Sequence, residues 1–323
     1  MNLRSLQRNL PFLATVAVCV LLYAIASVRY EGFASCRVLV NFFGDNSFLG
    51  IAAIGLTFVI LSGGIDLSVG GMVGLVSVCL ALALEKWRLH AAIAIPLVLI
   101  VGVSFGAAMG ALIQWFALPP FLVTLGGMFF TRGLALLLSL ESLPITRFLD
   151  AISSALRIPL GQFDFPATAI IFVGMFAAAF TIAHFTRFGR NIYALGGNEH
   201  SATLMGLPVA RTKIFVYAFS GFCSALAGVV YCFYTQSGNP NAGTGLELDA
   251  IAAVVIGGTL LSGGVGYVTG TIVGVLIFGI IQTAISFQGT LSSWWTKIVI
   301  GALLLLFILL QKLFQAKKFQ SSK

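Results

Sequence analysis

A chain of 323 residues with 59% hydrophobic and only 9% charged side chains has too few polar groups to clothe a water-soluble surface, and its mean hydropathy of +1.04 excludes an ordinary soluble domain. The formal net charge of +8 raises nucleic acid as a partner, but the placement of the basic residues assigns it to membrane topology instead. Cys19, Cys36, Cys79, Cys223 and Cys232 lack metal-ligand spacing, and all but Cys36 sit in apolar runs as small packing residues.

A hydrocarbon core about 30 Å thick asks for about 20 apolar residues per helix. In chain order, hydropathy predicts spans at 10–28, 48–61, 69–84, 91–116, 121–138, 167–184, 214–234, 250–261, 264–285 and 295–313. The expected fold is an all-α integral membrane protein of about ten transmembrane helices, a single polytopic domain over residues 1–323. The first run follows Arg4 and Arg8 and ends in the A-x-A pattern of Ala24, Ile25 and Ala26, which also fits a cleaved signal peptide; its length and the many later spans favour a retained anchor.

With the N-terminus in the cytoplasm, Arg4, Arg8, Arg187, Arg190, Arg211, Lys213, Lys312, Lys317, Lys318 and Lys323 fall inside beside a single acid, Glu199. On the opposite side Arg29, Arg37, Lys86, Arg88, Arg147 and Arg157 are outnumbered by Glu31, Asp45, Glu85, Glu141, Asp150, Asp164, Glu247 and Asp249. The positive-inside rule therefore places both termini in the cytoplasm, and no nucleic-acid partner is needed.

Sliding the chain by 200 positions sets IAAIGLTFVILSGGIDLSVGGMVG beside IAAVVIGGTLLSGGVGYVTGTIVG, with LSGG falling on LSGG, which reads as a structural duplication. In both copies a short apolar run is interrupted by glycines, Gly63 and Gly64 in one, Gly263 and Gly264 in the other. Paired interruptions of this kind point to a transport pathway, because irregular backbone at membrane depth persists only where protein or a watery cavity satisfies it. As the second and eighth spans the copies share an orientation; a re-entrant segment would invert them.

Within the first copy, Asp66 is an ionisable group at membrane depth and hence a functional-site hypothesis. The alternative, favoured because the equivalent position is Gly266, is a cap on a helix beginning near Leu67 or Ser68. Gln114, Thr124 and Gln282 lie inside spans, where they either line a path for hydroxyl groups or bond one helix to another. Glycines four apart, Gly70 and Gly74, Gly270 and Gly274, and the row Gly102, Gly106 and Gly110, let helix backbones approach closely. SGGVGYVTG lacks the G-x-x-x-x-G-K-[ST] pattern of a nucleotide loop, which occurs nowhere in the chain, and His90, His184 and His200 have no second ligand at useful spacing, so neither cofactor nor metal is expected here.

The polar stretch 186–213 places a breaker at Gly196 and Gly197, an N-cap at Asn198, a first-turn acid at Glu199 and a stop at Gly206 and Pro208. The prediction is a short helix from Glu199 to Met205 whose small apolar face, Ala202 and Met205, projects as a docking element for another protein. A connector lying on the lipid surface, anchored by Arg187, Arg190, Arg211 and Lys213, is the other reading.

LSGGIDLSVG at 61–70, FGRNIYALGGN at 188–198, ATLMGLPV at 202–209 and GGTLLSGGVG at 257–266 together resemble the permeases of bacterial sugar ABC importers, of the ribose type and more distantly the branched-chain amino acid type. DNSFLGI from Asp45, GMFFTRG from Gly127, YTQSG from Tyr234 and GTLSSWWTKI from Gly289 look like permeases of galactofuranose importers. The resemblance covers nearly the whole chain. It implies a multi-pass protein of the bacterial inner membrane that carries galactofuranose or a related monosaccharide. It also implies a second, different permease, ABC ATPase subunits that hold the ATP and magnesium, and a periplasmic sugar-binding protein. The segment containing Gly196, Gly197, Asn198, Glu199, Ala202, Met205, Gly206 and Leu207 then docks on the ATPase. A secondary transporter driven by an ion gradient is the rival, but it calls for buried acids, and Asp66 alone answers that description.

Overall fold

The computed structural model describes residues 3–146, 158–160, 163–290, 292 and 294–320; Arg147, Asp150, Arg157 and Lys323 lie outside the described residues. In chain order the helices are α1 (Leu3–Arg29), α2 (Cys36–Asp45), α3 (Ser47–Leu61), α4 (Val69–Ala81, prolonged by a π turn at Leu82–Lys86), α5 (Ala91–Trp115) and α6 (Pro120–Leu138). They continue as α7 (Ala167–Phe185), α8 (Arg187–Gly197), α9 (Glu199–Leu204), α10 (Val209–Thr235), α11 (Leu246–Ile256), α12 (Val268–Gln288) and α13 (Trp294–Gln320). Short strands add little: β1 (Leu143–Pro144) pairs antiparallel with β4 (Ser237–Gly238), and β2 (Ile158–Leu160) with β3 (Phe163–Phe165).

The chain is thus an all-α integral membrane protein, and the predicted segments map onto it with two differences: the helix at 48–61, α3, has 15 residues and reaches span length only together with α2, and the one at 250–261 is shorter still. Among the described residues eight helices are long and apolar enough to cross a membrane, nine if α2 and α3, bent by 56°, count as one span. The predicted span at 250–261 is α11, which has 11 residues and rises about 16 Å, half a hydrocarbon core. It stops because Gly257 and Gly258, the latter at φ +91°, leave the helix.

α3 is the axis of the molecule. Every residue but Phe48 is buried, and its apolar side chains run all round rather than in a stripe, so protein rather than lipid covers each face. α5 and α10 close against each other as the glycine row predicts: a β-carbon on Gly102 would meet the Gly221 carbonyl, and one on Gly221 the Gly102 carbonyl.

Hydrogen bonds across the core settle the orientation of the repeat. Leu61 O accepts from Gly264 N at 2.9 Å, Thr57 meets Thr271 at 2.7 Å, and Asn46 packs beside Gly279, so α3 runs antiparallel to α12 along its length. Gly257 against Gly270 and Ala253 against Gly274 make α11 antiparallel to α12 as well. The copies therefore share one orientation. They diverge after their glycines: α12 folds straight back on α11, whereas residues 64–68 form an irregular linker that delivers Gly70 of α4 to Gly243 and Glu247, at the start of α11.

The same contacts sort the ends of the molecule. Thr15 donates to Ile256 O at 2.6 Å and Gln311 to Val255 O at 3.2 Å, which puts the start of α1 and the end of α13 on the face that carries α8 and α9. Tyr30 donates to Gln288 at the opposite face.

Thr57 already donates its single hydroxyl proton to Ala53 O at 2.7 Å, so Thr271 is the donor in the Thr57–Thr271 bond. Thr57→Val should therefore cost about 1 to 2 kcal/mol, by stranding the Thr271 hydroxyl in the core, and the Thr57→Val/Thr271→Val double variant should cost less than the sum of the singles. Thermal unfolding of the four proteins in detergent measures the cycle.

Candidate functional site

Three glycine pairs from distant parts of the chain meet at one point. Gly63 and Gly263, equivalent in the repeat, both take φ +84°, and Gly264 takes +74°, conformations that a side chain strains. A β-carbon on Gly263 would lie 2.8 Å from Gly63 N, and one on Gly264 2.7 Å from Gly197 N. One on Gly196 would collide with Leu61 O and lie 2.6 Å from Gly264 N. Gly196 and Gly197 close α8 rather than merely breaking the chain before α9, and Gly196 is where α8 touches both interruptions of the repeat. Tyr193 on α8 adds a side-chain tie, donating to Gly266 O at 2.9 Å; burial, with Tyr267 nearby, pushes its phenol above the ordinary range and keeps it a neutral donor.

Asp66, fully buried, holds the irregular segment after the first interruption. One carboxylate oxygen accepts from Ser68 N at 2.9 Å and Ser68 Oγ at 2.7 Å, and the other from Ser220 Oγ of α10 at 2.7 Å. Asp66 is not itself the N-cap. Ser68 is, and Asp66 fixes Ser68 by a turn bond from two residues upstream. On the other side Thr124 of α6 donates to Pro120 O at 2.9 Å and Ile65 O at 3.2 Å, tying the segment to a third helix. Gln282 is exposed about three turns along α12 from Thr271, apart from this cluster. Gln114 sits on α5 next to Ile113, which faces the cavity described below, and its Oε1 is buried with no hydrogen-bond partner among the described residues.

The short helix α9 starts as predicted, with Asn198 Oδ1 accepting from Ser201 N at 2.8 Å, and ends with Met205 as its C-cap and Gly206 at φ +75°. Its exposed face differs from the expectation. Ala202 is fully buried against Leu195, Leu207 and Val209, because α9 lies flat on α8 and the start of α10. The side chains presented outward are Leu204, 75% exposed, and Met205, 67% exposed. Behind them Glu199 pairs with Lys213 of α10 at 2.6 Å. That pair, with Ser62, Gly63, Gly64 and Tyr217, lines a cavity of about 370 Å³, so the short helix and the first interruption share one polar chamber.

The sequence reading passed over two cations. Arg132 lies half-buried within α6, and its guanidinium donates to Pro240 O and Ala242 O, both at 2.7 Å, near Glu247. Lys297 of α13 pairs with Asp249 of α11. Arg132 carried a usable signal: a charge inside an apolar run is a functional-site hypothesis by default.

Residues 38–308 match the family described as branched-chain amino acid transport system / permease component. The chain is similar to the inner membrane ABC transporter permease protein YjfF of Escherichia coli, 51% identical over 95% of this chain and 93% of that protein. It is similar to the fructose import permease protein FruG of Bifidobacterium longum, 37% identical over 95% and 92%. It is also similar to the ribose import permease protein RbsC of Escherichia coli, 37% identical over 91% of each. No solved structure matches the chain.

Proposed function

This chain belongs to the branched-chain amino acid transport system / permease component family, and from that premise we propose that it is the membrane-spanning permease of an ATP-driven sugar importer. The observation that carries the reading is end-to-end similarity to permeases named for ribose and fructose import. Galactofuranose or a related monosaccharide is the cargo we assign, on the motifs from Asp45, Gly127, Tyr234 and Gly289. A second, different permease completes the path, a periplasmic binding protein delivers the sugar and supplies selectivity, and partner ATPases bind the nucleotide and magnesium. The face bearing α8, α9 and both ends of the chain is the cytoplasmic one of a bacterial inner membrane.

In this reading Leu204 and Met205 dock on the ATPase, and the Gly196 contact carries its movement to the two interruptions of the repeat. Alternating access follows if those interruptions, rather than rigid spans, change packing between outward-open and inward-open states.

Affinity purification in mild detergent tests the assignment: an ATPase and a second permease should copurify, and sugar-loaded binding protein should stimulate ATP turnover. A chain that purifies alone and takes up solute on an ion gradient would favour a secondary transporter. Within the complex, Met205→Ala and Glu199→Lys should each cut uptake roughly tenfold, the loss of about 1.4 kcal/mol of docking, and reduce sugar stimulation of the ATPase in step. Membrane insertion should be untouched, since neither residue lies in a membrane-crossing helix. Unchanged uptake would remove α9 from the docking surface.

A further inference from the structure

An apolar groove of about 560 Å³ opens between α5, α8 and α10, away from the glycine junction. Phe188, Phe215, Phe219 and Phe222 line it, with Arg211 and Asn191 among them. Positions 211, 215, 219 and 222 follow helical spacing, so they form one stripe along α10. From Arg211 to Phe222 that stripe rises about 16 Å, close to half of a hydrocarbon core about 30 Å thick. Its charged end lies at the α8 face of the molecule, and its aromatic end reaches toward mid-membrane.

Arg211 is exposed and makes no ion pair among the described residues; the nearest acid on this face, Glu199, is held by Lys213. Arg187 and Arg190 are exposed on α8, the helix that supplies Phe188 and Asn191 to the groove. A cationic head at the interface above an apolar channel one leaflet deep matches an anionic phospholipid, whereas the phenylalanine walls offer the hydroxyls of a sugar few hydrogen-bond partners.

We propose that this groove seats one anionic glycerophospholipid, its phosphate on Arg211 and the Asn191 amide and an acyl chain along the phenylalanines. Bound there, the lipid bridges α8 to α10 behind the docking segment. The inference needs no particular cargo, so it stands apart from the sugar assignment.

The full-length chain, purified with its copurifying subunits, is titrated with phosphatidylglycerol or phosphatidylethanolamine of matched chains, and bound lipid is counted by native mass spectrometry. One phosphatidylglycerol should be retained in preference to phosphatidylethanolamine. Arg211→Gln should weaken it roughly five- to tenfold, as expected for one basic residue at a lipid surface. Phe215→Ser, at an exposed ring, should weaken both lipids alike. Equal retention of the two lipids by the unaltered protein, or undiminished phosphatidylglycerol binding by Arg211→Gln, overturns the proposal. A photoreactive amino acid replacing Phe215 that crosslinks to a subunit instead of to lipid does so too.

Discussion

Gly196→Ala should abolish import, while Gly197→Ala, one residue away, should leave it intact. The β-carbon at 196 meets backbone, the Leu61 carbonyl and the Gly264 amide, and backbone on both sides cannot turn aside as a side chain would. Overpacking of this kind costs about 1 to 3 kcal/mol, and the rigid neighbours put this position at the upper end. At Gly197 an added β-carbon has open space, its φ lies outside the left-handed region, and alanine gains helix propensity of about 1 kcal/mol over glycine. Sugar uptake in cells carrying each variant, normalised to the amount in the membrane, measures the contrast. If Gly196→Ala imports normally, α8 does not pass motion to the interruptions through this contact.

The second large effect is at Asp66. Alanine there removes the acceptor of three donors, Ser68 N, Ser68 Oγ and Ser220 Oγ, in a fully buried site. We expect Asp66→Ala to cost about 3 kcal/mol or more, and Asp66→Asn, which keeps one carbonyl oxygen, about 1 kcal/mol. Heating the purified protein and following loss of the monodisperse peak gives the ranking. The variants also separate the two roles considered for this acid. A turn-holding carboxylate loses stability and import together in Asp66→Ala, whereas a carboxylate that meets the sugar loses import with stability unchanged.

Much of α8–α9 was legible in the sequence because its signals are local: the Asn198 cap, the Gly206 stop and the breaker at Gly196 are read within one turn of the residues they govern. The glycine pairs were legible as interruptions, and the repeat that relates them was visible at a fixed offset. Their meeting point was not, because backbone-to-backbone contact between residues as far apart as Leu61, Gly196 and Gly264 leaves no side-chain pattern behind. The direction of Ala202 is hidden for a related reason: a helix of six residues has too few positions to show which face is covered. Nor could hydropathy tell α3, enclosed by protein, from a helix bathed in lipid, since both surroundings are equally apolar. Arg132 is legible in the sequence as well, for its charge interrupts an apolar run.

The bond from Asp66 to Ser220 has a consequence for biogenesis. Its partners are separated by 154 residues, so at a synthesis rate of about 5–20 residues per second the carboxylate waits roughly 8 to 30 seconds for the hydroxyl that completes its shell. Through that interval the half-made chain holds an incompletely paired acid beside helices destined to be enclosed. A ribosome that stalls before α10 emerges therefore leaves a chain that carries a mark of its own immaturity, legible to any membrane protease that selects polar groups out of place.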